Sequence, residues 1–268
     1  MNTTRRAGPL LPLLLLAACG DARGSGEPGA ARDSAGVQVV VSGAPAWREG
    51  ESWRLSAEPV LRIGALDGPP EYQFDRVVGA VRRSDGGIVV GDAGPGALRF
   101  YDAAGKFVGS SGRKGGGPGE FEEMSSVRLL PGDSLLVFDW RRRRVSTFGP
   151  GGGFHRSVTL PGGSAAVYPM PQLIGRLPDH SLLVSVGHPF GPGAVADGVR
   201  QDSIDYLRYS ADGVLLDTLA VLPGGESFVK GGLGAFGFTT APLLFGRSAV
   251  HALAGGRLVV GSNRAYEL

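Results

Sequence analysis

Four copies of one strand pattern recur along the chain, and this repetition constrains the fold more than any other sequence feature. Each copy contains a short apolar strand that follows a turn with Gly or Asp. The four apolar strands are GIVVGD, SLLVFD, SLLVSV and RLVVGS. Ile88, Leu135 and Leu182 occupy the same place in the first three, 47 residues apart, and Leu258 follows 76 residues later. Four short strands in roughly 40–50 residues is the period of a propeller blade.

The composition of this glycine-rich chain favours a folded β protein over a disordered chain. Glycine accounts for 46 of the 268 residues and proline for another 19, a share that approaches that of disordered chains. However, 42% of the residues are hydrophobic, and they occur in short runs of strand length. We therefore predict an all-β fold whose many short strands are joined by glycine-rich turns. The formal net charge of +2 gives no indication of a nucleic-acid partner.

The N-terminus has the layout of an export signal. Arg5 and Arg6 precede an apolar run from Leu10 to Ala18, which is well short of the roughly 20 residues that a membrane-spanning helix needs. The run ends in the sequence Leu-Ala-Ala-Cys, and Cys19 is the only cysteine of the chain. This arrangement resembles the signal peptides of bacterial lipoproteins. The resemblance implies that residues 1–18 are removed and that Cys19 receives a diacylglyceryl group and an acyl chain such as palmitate.

This resemblance also carries an expectation about location. Two or more lipid chains hold a protein stably at a membrane, whereas one chain binds only marginally. We therefore expect a protein of the cell envelope, anchored at the periplasmic or extracellular face of a membrane. In lipoproteins the residue after the cysteine influences sorting, and Gly20 at this position favours the outer membrane. An ordinary secretory signal with an incidental cysteine is the alternative.

The remaining chain divides into a linker and a repeat domain. Residues 19–36 contain no aromatic and no β-branched residue, so they are predicted to form a flexible linker behind the lipidated cysteine. Residues 37–268 are predicted to form a β-propeller with about three and a half blades. The segment Pro59–Phe74 is similar to the end of the first copy, Lys106–Phe121. We predict that it supplies a leading strand that closes the ring and leaves no sheet edge open.

Two segments resemble the repeats of NHL-type propellers. GRKGGGPGEF, residues Gly112–Phe121, is similar to their inter-blade signature. FDWRRRRVSTFGPGGGF is similar to their third-strand segment, with Arg144 and Phe148 in the recurrent positions, and Arg99 and Phe100 match loosely in the preceding copy. Together with the signal peptide, this implies a six-bladed NHL-like lipoprotein with four-stranded blades. Since the copies here are too few for six blades, we predict a C-terminally truncated propeller. A tight four-bladed closure is the alternative.

The run Trp140–Arg144 is the most conspicuous candidate for a binding site. Guanidinium groups bind phosphate and carboxylate groups in a planar, bidentate geometry. We nevertheless favour a solvent-exposed blade edge, because alternate residues of a strand face opposite ways. The alternative is a binding surface, on which Trp140, Arg141 and Arg142 contact an anionic ligand or partner.

The acidic and imidazole residues contain no recognisable catalytic motif. Asp92 and Asp139 end the second strands of consecutive copies, where they accept hydrogen bonds from the backbone or form a carboxylate ring that binds Ca²⁺. The four histidines lack the spacing of metal ligands, and no GxSxG-type elbow is present. We therefore assign no catalytic residue, no metal ligand and no cofactor.

Two functional hypotheses follow. The first is a membrane-anchored binding or scaffold module, because the loops of a rigid scaffold form binding surfaces. Its partner would be a protein, a glycan or a small anionic ligand. The second is an exported hydrolase or lyase that holds a metal in the central channel. A nucleic-acid partner is not expected, because little RNA is present outside the cytoplasm.

Overall fold

The computed structural model describes six parts of the chain, which are residues 30–34, 37–41, 55–161, 171–188, 197–231 and 238–263. The predicted signal peptide and Cys19 lie outside the described residues. In these six parts, no helix is both long and apolar enough to cross a membrane. The chain separates into two compact units, Met1–Trp53 and Arg54–Leu268.

The first unit contains a β-hairpin. Strand β1, Ala30–Ser34, pairs antiparallel with strand β2, Val37–Val41. The strand β1 lies within the segment 19–36, for which the sequence predicts a flexible linker. The valine-rich β2 has a high strand propensity, and the preceding residues pair with its backbone N–H and C=O groups. Residues 37–41, at which the sequence predicts the propeller to begin, form β2 of this hairpin.

The second unit begins with two matching sheets, which we call the first and second blades. The first blade contains β3–β6 (Val77–Arg82, Ile88–Asp92, Ala97–Tyr101 and Phe107–Ser111). The second blade contains β7–β10 (Met124–Leu129, Leu135–Asp139, Arg144–Phe148 and Phe154–Thr159). In both sheets the four antiparallel strands neighbour one another in chain order. Every strand of the second blade starts 47 residues after its counterpart in the first.

The third blade keeps this pattern and adds to it. It contains β11–β15 (Pro171–Arg176, Leu182–His188, Gly198–Tyr209, Leu215–Gly231 and Phe238–Pro242), which form one sheet in chain order. The strands β13 and β14 have 12 and 17 residues. They continue beyond the end of β12 and pair there with each other, and β14 pairs also with β15. The sheet therefore has five strands instead of the predicted four, because the inserted sequence continues the pairing.

The fourth copy begins with a hairpin of β16, Ala249–Ala254, and β17, Arg257–Ser262. Its predicted third strand lies outside the described residues.

The predicted leading strand within Pro59–Phe74 is not formed: residues 55–76 contain a short 3₁₀ turn and no strand. Val60 in this segment is almost fully exposed, so it has no strand to pack on in the described part of the chain.

The blades pack face to face, and their first strands lie side by side. Strand β3 lies next to β7, which also contacts β11, and β11 contacts β16. Strand β7 also approaches β4 closely and leaves room there only for a small residue, because a Cβ atom at Gly91 in β4 would lie 2.5 Å from Val127 Cγ2 in β7. Apolar side chains of facing blades form three buried clusters. Successive four-stranded meanders whose first strands converge are the architecture of a β-propeller, so the predicted all-β propeller fold is confirmed.

One aromatic position recurs in each of the first three blades. Tyr101, Phe148 and Tyr209 pair across the sheet with the first residue of the second strand of their own blade. All three are at most 2% exposed. The loose match of Phe100 to Phe148 is therefore shifted by one residue, because the strand register places Tyr101 in the position that Phe148 has in the second blade.

Candidate functional site

Two buried carboxylates organise the loops that lead into the first strands. Asp92 and Asp139 are both inaccessible to solvent. Asp92 accepts a hydrogen bond of 3.0 Å from the Arg76 amide, and Asp139 accepts one of 2.6 Å from the Glu122 amide. The Arg99 guanidinium lies 2.9 Å from Asp92. These contacts correspond to the predicted role as backbone partners. No group of three His, Cys, Asp or Glu side chains that could hold a metal occurs in the described ranges.

The last arginine of the run at 140–144 is structural. Arg144 is 8% exposed and donates hydrogen bonds to the carbonyl oxygens of Gly116 and Glu120. It thereby fixes the inter-blade loop, Gly112–Phe121. The Glu120 carboxylate accepts hydrogen bonds from the Gly117 amide and from Arg113, and these contacts lower the pKa of Glu120. The arginine and the loop therefore form one hydrogen-bonded unit.

The structure brings the three predicted site residues together beside an acidic group. The Arg141 guanidinium lies 5.3 Å from the centre of the Trp140 ring. Glu122 lies 3.7 Å from Arg141 and 3.1 Å from Arg142. Both arginine side chains are nearly half exposed, so they are accessible to a partner. Their positive charge is partly balanced by Glu122, at the modest strength of an exposed ion pair.

A cavity of about 650 Å³ lies where the first strands of the three blades converge. We call it the channel cavity. Its walls are formed by three strand segments and one indole (Val78–Val81, Ser125–Leu129, Pro171–Leu173 and Trp140). Of the predicted site residues, Trp140 therefore lines this cavity, whereas Arg141 and Arg142 are not among its walls.

Polar and apolar groups line the channel cavity to about the same extent. The Ser125 hydroxyl donates a hydrogen bond of 3.3 Å to the Phe138 carbonyl oxygen. The Ser126 hydroxyl oxygen is buried and has no hydrogen-bond partner in the described part of the chain. Gln172 and Arg128 contribute an amide and a guanidinium group.

The sequence did not single out these channel residues. A strand pattern shows which residues alternate, but not which sheet edge faces a neighbouring blade. One signal was available, because the 47-residue interval aligns Gly79, Ser126 and Leu173, and all three line the channel cavity.

Comparisons with known proteins give little similarity in sequence. No protein family matches the chain, and no curated protein matches it. Three solved structures are similar over part of their length. An exported protein from Bacteroides fragilis has 17% identity and a TM-score of 0.41, over 59% of this chain and 41% of that chain.

Two further structures are less similar. A streptogramin B lyase has 12% identity and a TM-score of 0.34, over 63% of this chain and 69% of that chain. A protein of unknown function from Desulfotomaculum acetoxidans has 13% identity and a TM-score of 0.34, over 69% of this chain and 62% of that chain. At these low scores, the assignment of the fold rests on the strand order and packing of this chain's own sheets.

Proposed function

We propose that this protein is an exported, lipid-anchored β-propeller of the NHL-like type that acts as a binding or scaffold module. The observation that carries the binding function is the channel cavity, which is large enough for a small ligand and is lined by residues of three blades.

The channel walls support binding over catalysis. Trp140 offers an aromatic face, and Gln172 and Arg128 offer hydrogen-bond donors at the sides of the cavity. These groups hold and orient a ligand such as a glycan, a small anionic molecule or the end of a protein segment. The described residues of the cavity walls include no His, Cys, Asp or Glu, the side chains that hold catalytic metals. A hydrolase or lyase with a channel metal is therefore not favoured.

The location of the protein rests on its N-terminal sequence. Arg5, Arg6, the apolar run and Cys19 form the complete pattern of a lipoprotein signal. Lipid on Cys19 makes the membrane itself a partner of the protein. Gly20 favours the outer membrane where the cell has one. The propeller would then be presented to the periplasm or to the exterior.

Site-specific photo-crosslinking tests the binding function without knowledge of the ligand. A benzophenone side chain at Gln172, an exposed position on the channel wall, is expected to yield covalent adducts with the bound ligand in cells. The same group at Val108, which is 68% exposed on the outer strand β6, is the control. Mass spectrometry of the purified chain identifies the adducts. Adducts of equal yield at both positions, or none at Gln172, would contradict the proposal.

A further inference from the structure

A second cavity, of about 670 Å³, lies where the far ends of the first strands of the second, third and fourth copies meet. We call it the cationic cavity. Its walls come from the ends of β7 and β11 and from β16 (Arg128–Pro131, Ile174–Pro178, His180, His251–Leu253 and Gly256). Arg128 and Leu129 also belong to the channel cavity, so the two cavities adjoin each other.

The charged side chains of this cavity are all basic. Its walls contain Arg128, Arg176, His180 and His251 and no acidic residue. Neither arginine forms an ion pair or a side-chain hydrogen bond with any described residue. Within the described ranges, the positive charge of the two guanidinium groups therefore has no acidic partner, in contrast to that of Arg141 and Arg142.

The carboxylate of Asp179, next to the wall residue His180, is engaged elsewhere. Asp179 precedes His180 in the chain, but its oxygens accept hydrogen bonds from the Ser181 amide and hydroxyl and from Arg208. These contacts lower the pKa of Asp179 and keep it ionised. The Asp179 carboxylate is therefore paired with Arg208 and hydrogen-bonded to Ser181. Asp179 is not among the wall residues of the cavity.

The wall residue His251 is affected both by its burial and by the positive charge of Arg128. Its Nδ1 lies 3.3 Å from the Tyr206 hydroxyl, and Tyr206 is fully buried. Burial and the positive charge of Arg128 both lower the pKa of His251. The field of Arg128 thus extends into the cavity, where it disfavours a further positive charge and favours a negative one.

The walls between the arginines are apolar. Leu130 and Ile174 are at least nine-tenths buried, and Leu253 packs against the same cluster as Ile174. Charges interact more strongly beside a low-dielectric wall than in bulk water. Arginine also binds phosphate and carboxylate groups with two parallel hydrogen bonds. Two such groups on neighbouring blades suit a ligand that carries more than one negative charge.

We propose that the cationic cavity binds a small polyanion whose phosphate or carboxylate groups pair with Arg128 and Arg176. This site goes beyond the proposed function, because it adds a second binding region next to the channel cavity and assigns it a ligand class. It depends neither on the lipid anchor nor on occupation of the channel.

Isothermal titration calorimetry of the purified full-length chain tests this proposal, with pyrophosphate and citrate as probes and sucrose as the uncharged control. We expect at least one of the two anions to bind, and sucrose not to bind. The preferred anion then distinguishes a phosphate ligand from a carboxylate ligand. Failure of both anions to bind at millimolar concentration would overturn the proposal and would leave the channel function untouched.

Charge variants locate the site. Arg176→Gln is expected to weaken binding of the anion by about tenfold or more, the usual contribution of a hydrogen bond to a charged group. Arg62→Gln removes the same charge at an exposed position outside both cavities and is expected to leave the affinity unchanged. An equal loss in both variants would indicate general attraction to a basic protein and would refute a specific site.

A second pair of variants keeps both arginines intact. Ala252 lines the cationic cavity and is exposed, so larger side chains fit there without disturbing a core. Ala252→Glu places a carboxylate among the basic groups and is expected to abolish binding. Ala252→Gln has nearly the same size without the charge, and binding should persist. If Ala252→Glu bound the anion as well as Ala252→Gln does, the proposal would be wrong.

Discussion

Replacing Phe148 by alanine is expected to lower the free energy of unfolding by about 3–5 kcal/mol, the usual cost of removing a buried phenyl ring. Phe148 is 1% exposed and lies in the cluster between the first and second blades. Its ring centre is 5.8 Å from that of Phe121 in the inter-blade loop. The substitution therefore leaves a cavity at the point where the loop, the sheet and the neighbouring blade meet.

Phe154→Ala is the matched control for this prediction. Phe154 also contacts the Phe148 ring, at 5.7 Å between ring centres, but it is 38% exposed on the edge strand β10. Its removal should cost only about 0.5–1.5 kcal/mol, the contribution of an aromatic pair. Urea denaturation followed by circular dichroism measures both values. Equal losses in the two variants would contradict the packing of the blades described above.

Replacing Cys19 by serine is expected to move the protein from the membrane fraction to the soluble fraction. The hydroxyl group of serine does not take the diacylglyceryl group, so the signal loses its attachment point. Since the membrane binding of a lipoprotein depends on its lipid chains, nearly all of the protein should leave the membrane. Fractionation of cells and immunoblotting of each fraction measure the change.

A cysteine at a different place provides the control for lipidation. Ser25→Cys in the Cys19→Ser background restores a thiol six positions later, outside the Leu-Ala-Ala-Cys pattern. We expect this double variant to remain soluble. A Cys19→Ser variant that stayed in the membrane fraction would show that the anchor does not depend on lipid at this residue.

The sequence alone predicts the repeated core of this fold well. Short apolar strands at a fixed interval, separated by glycine turns, identify the second strands, since each must be buried on both faces. The starts of β4, β8 and β12 agree with this interval. The extension of β13 and β14 was not predicted, because pairing beyond the end of a blade depends on which inserted segments meet in space.

The candidate site was predicted less completely than the fold. Five consecutive basic and aromatic residues at 140–144 are evident in the sequence, but only the fold shows that Arg144 is buried and bonded to the inter-blade loop. The sequence also does not show that Glu122 approaches Arg141 and Arg142 from the preceding loop. Conversely, Arg128 and Arg176 appear unremarkable in sequence, and blade packing alone places them at one cavity.

Consecutive repeats pack face to face with their first strands side by side. A disulfide bond tests this packing directly, because a Cβ atom at Gly79 would lie 3.9 Å from Val127 Cβ, and disulfides join Cβ atoms at about 3.8 Å. In the Cys19→Ser background, the pair Gly79→Cys and Val127→Cys should oxidise to one intramolecular disulfide. Mass spectrometry detects the loss of both thiol hydrogens.

The control pair is Gly79→Cys with Val108→Cys. Val108 lies on β6, the opposite edge strand of the same sheet. The strands β4 and β5 lie between the two positions, so their sulfur atoms are too far apart to form a bond. We expect complete oxidation of the Gly79–Val127 pair and free thiols in the control pair. Free thiols in the Gly79–Val127 pair under the same oxidising conditions would contradict the propeller packing.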